Sequence, residues 1–321
     1  MALMGSDLLA IDTETSGVGW HDEAFMISVA WRGPNDSLRS YAIDKREVSD
    51  NAWRDELEGI ENMLEGCKRI IMHNAKFDIQ KLCRLGFPMR LFKDKFEDTQ
   101  ALAHLINEQG STGLKYLART ILGEVTDEDE VLRKTRRELK VKKEDGYYPI
   151  PRCVLEPYAI KDAEFTLRLY ERFVKTFPKD LYSLYELEKQ LTIALLGIEA
   201  RGMQINKTYV KQQRKEYGDR IYKLKYRIGE LVGEDFNPQS PQQVLHALGE
   251  RGHVVSSTSK QVLSEVPDEL AGLIVELREA NKIKSTYFEA LHTEAKGGIL
   301  HPNFRQHGTK TGRMSSGAAE A

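Results

Sequence analysis

At 321 residues, with 47 Lys/Arg against 49 Asp/Glu and a net charge of -2, the chain has room for two domains or for one domain with a large appendage. No apolar run approaches the roughly 20 residues of a membrane span and the N-terminus lacks a signal-peptide core, so the sequence reads as a cytoplasmic protein with no membrane partner. Three widely spaced cysteines, Cys67, Cys83 and Cys153, with no CxxC pair, exclude a disulfide framework or a zinc knuckle and read as reduced thiols.

Leu8-Leu9-Ala10-Ile11 is a short buried strand that delivers Asp12 at its end, with Glu14 two residues on. Phe25 to Trp31 and Ser40 to Ile43 are two further strands joined by a turn at Gly33-Pro34-Asn35-Asp36. Helical spacing of Trp53, Leu57, Ile60 and Leu64 follows. Arg69-Ile70-Ile71-Met72 is another strand, leading to a helix over about 75–85 that ends at Gly86-Phe87-Pro88. An antiparallel start followed by strand–helix units predicts a mixed α/β sheet with flanking helices.

The stretch 123–145 is dense in both charge signs and reads as a mobile loop or an exposed helix. Residues 146–157 hold three prolines and are expected to be mostly extended, with Pro157 in the first turn of the next helix. From about 181 the pattern is helical. Leu187, Leu191, Ala194, Leu195 and Ile198 form a stripe, and Asn237-Pro238-Gln239-Ser240-Pro241 is a break with Ser240 as the next cap. Residues 201–230 carry nine Lys/Arg against three Asp/Glu, which fits either a solvated helix face or a phosphate-tracking surface.

Three stretches carry the chemistry. Asp12 and Glu14, at i and i+2 of a strand, point to one side and can share a cation; a polar strand end is the ordinary alternative. Asn74 reads as a helix N-cap, and Asp78, one turn in, is free for other work. Tyr158 and Asp162, at i and i+4, lie one above the other on a helix, which a surface Tyr with a helix-stabilising Asp would also produce. Four carboxylates together repel one another unless divalent cations neutralise them, so the set reads as a two-metal site for phosphodiester cleavage. His73 reads as a hydrogen-bonded core residue. Phe77 serves either the helix core or stacking on a base.

Asp12-Thr13-Glu14, Asn74-Ala75-Lys76-Phe77-Asp78 and Tyr158-Ala159-Ile160-Lys161-Asp162 resemble the three motifs of the DEDD superfamily of 3′→5′ exonucleases, in the branch with a tyrosine four residues before the last aspartate. Phe96-Glu97-Asp98-Thr99 and Leu114-Lys115-Tyr116-Leu117-Ala118 are similar to that family's middle segment. The resemblance implies a ribonuclease H-like fold and a site of Asp12, Glu14, Asp78, Tyr158 and Asp162. In it Asp12, Glu14 and Asp162 hold one Mg²⁺ or Mn²⁺, Asp12 bridges to a second, and Asp78 reaches that second ion directly or through water. Tyr158 orients the attacking water. Thr13, Asn74 and Phe77 are implied as contacts to a single-stranded 3′ end.

Beyond residue 180 the chain resembles family A DNA polymerases of bacteriophage type. Glu186-Leu187-Glu188 through Gly197-Ile198-Glu199-Ala200-Arg201-Gly202-Met203 resembles the segment that opens the family's polymerase region, and Asn237-Pro238-Gln239-Ser240-Pro241 is similar to its thumb-region motif. Lys282-Ile283-Lys284-Ser285-Thr286-Tyr287 resembles the end of a thumb helix, and Thr311-Gly312-Arg313-Met314-Ser315-Ser316 the motif that opens the palm. Primer–template contacts are implied at Lys284, Ser285, Thr286, Thr311 and Arg313; the sequence names no processivity factor or replisome partner. The expected organisation is an α/β ribonuclease H-like exonuclease domain at 1–178, a mainly α-helical thumb-like region at 179–296 and an incomplete palm at 297–321. The polymerase catalytic motifs are not reached, so a truncated proofreading portion is expected, poorly anchored beyond about 297. A ribonuclease D-like exonuclease acting on RNA is the alternative, which the Thr-Gly-Arg motif disfavours. A non-catalytic primer–template module is another, disfavoured by the complete set of acids.

Overall fold

The computed structural model describes residues 7–125, 127–142, 145–309 and 311–317. By contact the described residues divide into one unit that runs to Ala200 and resumes at Pro302, and a second formed by Arg201–His301.

The first unit is built on a five-stranded sheet of β1 (Leu8–Thr15), β2 (Ala24–Arg32), β3 (Leu38–Asp44), β4 (Arg69–Met72) and β5 (Phe96–Asp98), in the order β3-β2-β1-β4-β5. β1, β2 and β3 pair antiparallel, while β4 joins β1, and β5 joins β4, in parallel. The alternation along β1 explains the layering. Leu9 and Ile11 enter a core with Trp53, Ile60 and Leu64 of α1 (Asp50–Gly66) and Ile79 and Leu82 of α2 (Ala75–Arg84). Ala10 faces the other core with Leu102 of α3 (Thr99–Ile106), Leu117 of the one-turn helix α4 (Leu114–Leu117) and Leu167 of a long helix further on.

The charged stretch folds into α5 (Asp127–Glu138), whose Leu132 is buried among Phe25, Ile150 and Leu155; residues 126, 143 and 144 of that stretch lie outside the described set. The next helix, α6 (Arg152–Thr176), corrects the expected extended segment: it starts five residues before Pro157. Arg152 pairs with Glu156 one turn on and with Glu47, which holds the first turn in place. Pro157 therefore stands inside the helix, where its missing N–H leaves the Cys153 carbonyl without its helical donor.

α7 (Tyr182–Arg201) also differs from its predicted stripe. Leu187 is 57% and Ile198 49% exposed, and the buried face is Tyr185, Thr192, Leu195, Leu196 and Glu199. Polar partners choose that face: the Tyr185 hydroxyl donates to Glu97, and Glu199 pairs with Lys76. The sequence places α7 with the helical region, but Tyr185 and Leu196 pack in the two cores of the sheet unit.

The second unit joins β6 (Met203–Gln204) to a helical body of α8 (Lys207–Val232), α9 (Pro241–Glu250), α10 (Lys260–Ser264), α11 (Glu269–Ile283) and α12 (Ala290–Glu294), and closes with β7 (Ile299–Leu300) against β6. Leu224, Ile228, Val244, Leu248, Leu270, Ile274 and Leu277 form its separate core. Ser240 caps α9 as predicted, accepting from the Gln243 N–H.

The chain then returns to the first unit as the hairpin β8 (Asn303–Arg305) and β9 (Ser315–Gly317). The described part of this segment is anchored, contrary to the expectation for residues beyond about 297. Lys76 Nζ donates to Asn303 Oδ1 at 2.9 Å and to the Phe304 carbonyl at 2.6 Å, Glu199 accepts from the Phe304 N–H, and Gln306 donates to Glu188. Among the described residues no helix is long and apolar enough to cross a membrane.

Candidate active site

β1 continues through Asp12 and Glu14 to Thr15, so both acids sit within a paired strand, Asp12 opposite Ser28 and Glu14 opposite Met26. On the same side, Ala159 and Ala163 are fully buried on α6, and the Ser28 hydroxyl donates to the Ala159 carbonyl at 2.8 Å. Small side chains let the helix lie close to the sheet, and Ser28 fixes its height. That brings Asp162 to the acids of β1: Asp12, Glu14 and Asp162 each offer an oxygen, all within 4.8 Å of one another.

Asp78 approaches from the other face of β1. Thr13, pointing away from Asp12 and Glu14, gives Asp78 Oδ1 two hydrogen bonds, from its N–H at 3.1 Å and its hydroxyl at 2.7 Å. Thr13, which the resemblance implies as a DNA contact, has its backbone and side-chain donors on Asp78. Asp78 is buried and feels the charge of Asp12, and it lies outside the tight set of three.

Asn74 stands at the N-cap position of α2 in a left-handed conformation (φ 66°) but makes no side-chain cap bond. Asp98 takes that role, accepting from the N–H groups of Asn74 and Ala75 while also capping α3 through Gln100 and Ala101. One carboxylate thus ties two helix starts together. Phe77 is half-buried, 5.2 Å from Lys81 Nζ, whose ammonium donates to the Gly19 and Asp22 carbonyls. His73 is half-buried and hydrogen-bonded to Thr99.

Tyr158 lies one turn before Asp162, with the Tyr147 ring 6.0 Å from its own. Tyr147 is brought there by a close approach of two backbones. Its N–H donates to the Thr15 carbonyl, and Gly146 (φ 57°) passes so near β1 that a Cβ would stand 2.4 Å from that oxygen. Arg46 donates to the Tyr148 and Ile150 carbonyls at 2.7 Å each and secures the rest of the loop. Lys115 of α4 completes the wall, 3.9 Å from the Tyr158 ring centroid and ion-paired to Asp162 Oδ1.

Burial pushes the Asp12 carboxyl up to about 6 against the pull of Lys115, and burial together with the Asp12 charge raises Glu14 and Asp78 well above the usual carboxylate range. Burial also lowers Lys115 to about 8 and, with Tyr147 and the acids nearby, lifts the Tyr158 phenol well above its ordinary value. These buried acids repel one another, and the Lys115 ammonium offsets their charge only in part. The all-oxygen donor set fits a hard divalent cation, and the ammonium already on Asp162 shows that the cluster accepts a cation.

Sequence reasoning did not single out Lys115, Tyr147, Asp98 or Ser28 for the site. Lys115 and Asp98 fall inside stretches that carry the family resemblance, which was their available signal; nothing local marks Ser28 or Tyr147. The implied DNA contacts of the second half lie apart from the carboxylates along the chain. Lys284, Ser285 and Thr286 occupy a π-helical turn after α11, with Ser285 and Thr286 exposed, and Thr311 and Arg313 are exposed between β8 and β9.

Comparison with known proteins agrees with this geometry. A family model described as 3'-5' exonuclease matches residues 1–177, and one described as DNA polymerase family A matches residues 207–319. The chain is 28% identical to DNA polymerase DpoZ of Vibrio phage phiVC8, over 96% of the chain and 54% of that protein. It is 26% identical to DNA polymerase I of Borreliella burgdorferi, over 98% of the chain and 35% of that protein. DNA polymerase I of Treponema pallidum is 30% identical over 77% of the chain and 25% of its own length. The chain thus spans between a quarter and about half of the relatives it matches. The polymerase domain of Pol1 from M. smegmatis, solved with primer-template DNA and dNTP, shares the fold with a TM-score of 0.68 and 20% identity, over 96% of this chain and 50% of that one. The chain belongs to the 3′-5′ exonuclease family, and its residues 207–319 are similar to DNA polymerase family A.

Proposed function

We propose that this chain is a metal-dependent 3′→5′ exonuclease that removes nucleotides from single-stranded or frayed DNA ends, the proofreading portion of a family A DNA polymerase. The observation that carries the reading is the set Asp12, Glu14 and Asp162, with oxygens within 4.8 Å of one another on the face that also presents Tyr158. Asp12, Glu14 and Asp162 would hold one Mg²⁺ or Mn²⁺, with Asp12 and Asp78 serving a second. Bound there, the ions supply an activated water and charge stabilisation at the phosphodiester.

The remaining chemistry belongs to the chain. Thr13 keeps Asp78 aimed, and Ser28 and the small residues of α6 hold Asp162 and Tyr158 against the sheet. The Tyr158 phenol stays neutral at working pH, so it orients a water by hydrogen bonding and does not deprotonate it. A scissile phosphate reaches buried acids only when its base is unstacked, which favours single strands. Asn74 and Phe77, beside Asp78 at the start of α2, are suited to the terminal nucleotide. Lys284, Ser285, Thr286, Thr311 and Arg313 are proposed as primer–template contacts in the polymerase. The division at about residue 178 separates the exonuclease from the polymerase region in this reading.

The test is to incubate the chain with 5′-labelled single-stranded DNA, and with RNA of the same sequence, in Mg²⁺ and in EDTA. Stepwise shortening of the DNA that EDTA abolishes is expected. Degradation of RNA alone would favour the ribonuclease D-like reading, and metal binding without hydrolysis of either strand a binding module.

A further inference from the structure

The carboxylate pocket carries a cation of its own. Lys115 reaches from α4 across the Tyr158 ring to Asp162 Oδ1, with Phe165 of α6 5.5 Å away. The Lys115 side chain is 16% exposed and that of Asp162 9%, so water screens this pair far less than a surface pair. The same ammonium attracts Asp12 and Glu14 on β1 and, separately, Asp129 and Glu128 in the first turn of α5. It therefore has acidic neighbours on three elements, of which β1 and α6 carry the cluster of three.

We propose that Lys115 is the built-in counter-ion of this site: it neutralises Asp162 in the metal-free protein, keeps the three carboxylates at coordinating distance, and gives Asp162 up when a divalent cation enters. The inference rests on reading the pocket as a divalent-metal site. Three carboxylates at this spacing drive one another apart or take up protons unless positive charge lies among them. A lysine supplies a compact charge on a flexible stem, and the Tyr158 face holds it over the acids. The ammonium and a metal ion compete for the lone pairs of Asp162. Lys115 thus keeps the site assembled and weakens net metal affinity, acting as a positioning residue through Asp162.

The experiment compares wild type, Lys115→Met, Lys115→Gln and Lys115→Arg by Mn²⁺ titration followed by electron paramagnetic resonance, and by thermal melting without metal and at saturating Mn²⁺. Lys115→Met is expected to bind Mn²⁺ about tenfold tighter, a gain of about 1.4 kcal/mol. It should melt lower than wild type without metal, and the gap should narrow when Mn²⁺ saturates the site. Lys115→Arg should restore the metal-free melting temperature, which loss of packing alone would not predict of a bulkier side chain. Lys115→Gln, matched more closely in polarity, carries the same expectations if the Met variant does not fold. Unchanged or weaker Mn²⁺ binding in a folded Met or Gln variant overturns the role of Lys115. So does an unchanged metal-free melting temperature. A wild type that binds no Mn²⁺ overturns instead the reading of the pocket on which the inference rests.

Discussion

The two units of this chain treat charge in opposite ways. In the sheet unit, Asp12, Glu14 and Asp78 are drawn out of water, and their carboxyls are pushed above the usual range. In the helical unit, Arg214, Arg220 and Arg227 of α8 stand at the surface and pair with Glu289, Glu276 and Glu269, and the Glu289 carboxyl is held below its usual range by Arg214. The first arrangement is costly to fold and useful only when a cation arrives. The second costs little, because water screens exposed pairs such as these. Buried charge is therefore concentrated in a few side chains of one unit, whereas in the other the charges named are paired at the surface.

The largest expected effect of breaking that contrast is at the pocket. Asp162→Ala should lower degradation of a labelled single strand in Mg²⁺ by more than about 100-fold, because it removes a proposed metal ligand. Retained activity would remove Asp162 from the site. Tyr158→Phe keeps the ring under Lys115 and deletes only the hydroxyl, so the rate should fall about tenfold with Mn²⁺ affinity unchanged. An unchanged rate would reject its role in orienting water.

A smaller effect belongs to pH. Burial and the neighbouring His104 lower His307 to about 4, with the two rings 4.9 Å apart. Its folded value lies below the unfolded one, so the unfolded state binds more protons between about pH 4 and 6.5. Stability linked to His307 is full above that window and is lost as pH falls through it, by about 1 kcal/mol at pH 5 after allowance for partial exposure. His307→Gln should flatten this part of a melting-temperature profile; an identical slope in the variant would contradict the assignment. The smallest effect is expected in the helical unit, where Arg220→Ala should cost no more than about 0.5 kcal/mol in chemical denaturation, as for other exposed pairs. A loss above about 2 kcal/mol there would erase the contrast between the units.

The sheet unit was largely legible because its signals are local. Short continuous apolar runs mark β1 and β2, Trp53, Ile60 and Leu64 mark the inner face of α1, and the acids sit at short fixed spacings within single elements. What could not be read depends on partners far along the chain. α7 turns inward with Glu199 because Lys76 lies 123 residues away in sequence, and that choice leaves Leu187 and Ile198 in water. Asn74 has the right identity for a cap, yet Asp98 from another strand does the capping. Pro157 suits a first turn, but the Arg152 pairs extend the helix before it. The acids of the site were visible one by one; the lysine that faces them was not, since only the packing of α4 against α6 brings Lys115 to Asp162.

The central claim, that the carboxylates of β1 and α6 form a cation site, is tested most directly by anomalous diffraction from crystals of this chain soaked in Mn²⁺. A Mn²⁺ peak is expected within coordination distance of Asp12, Glu14 and Asp162, with a second ion next to Asp12 on the side of Asp78. A map with Mn²⁺ bound elsewhere and none at Asp12, from protein that still degrades single-stranded DNA, would contradict it.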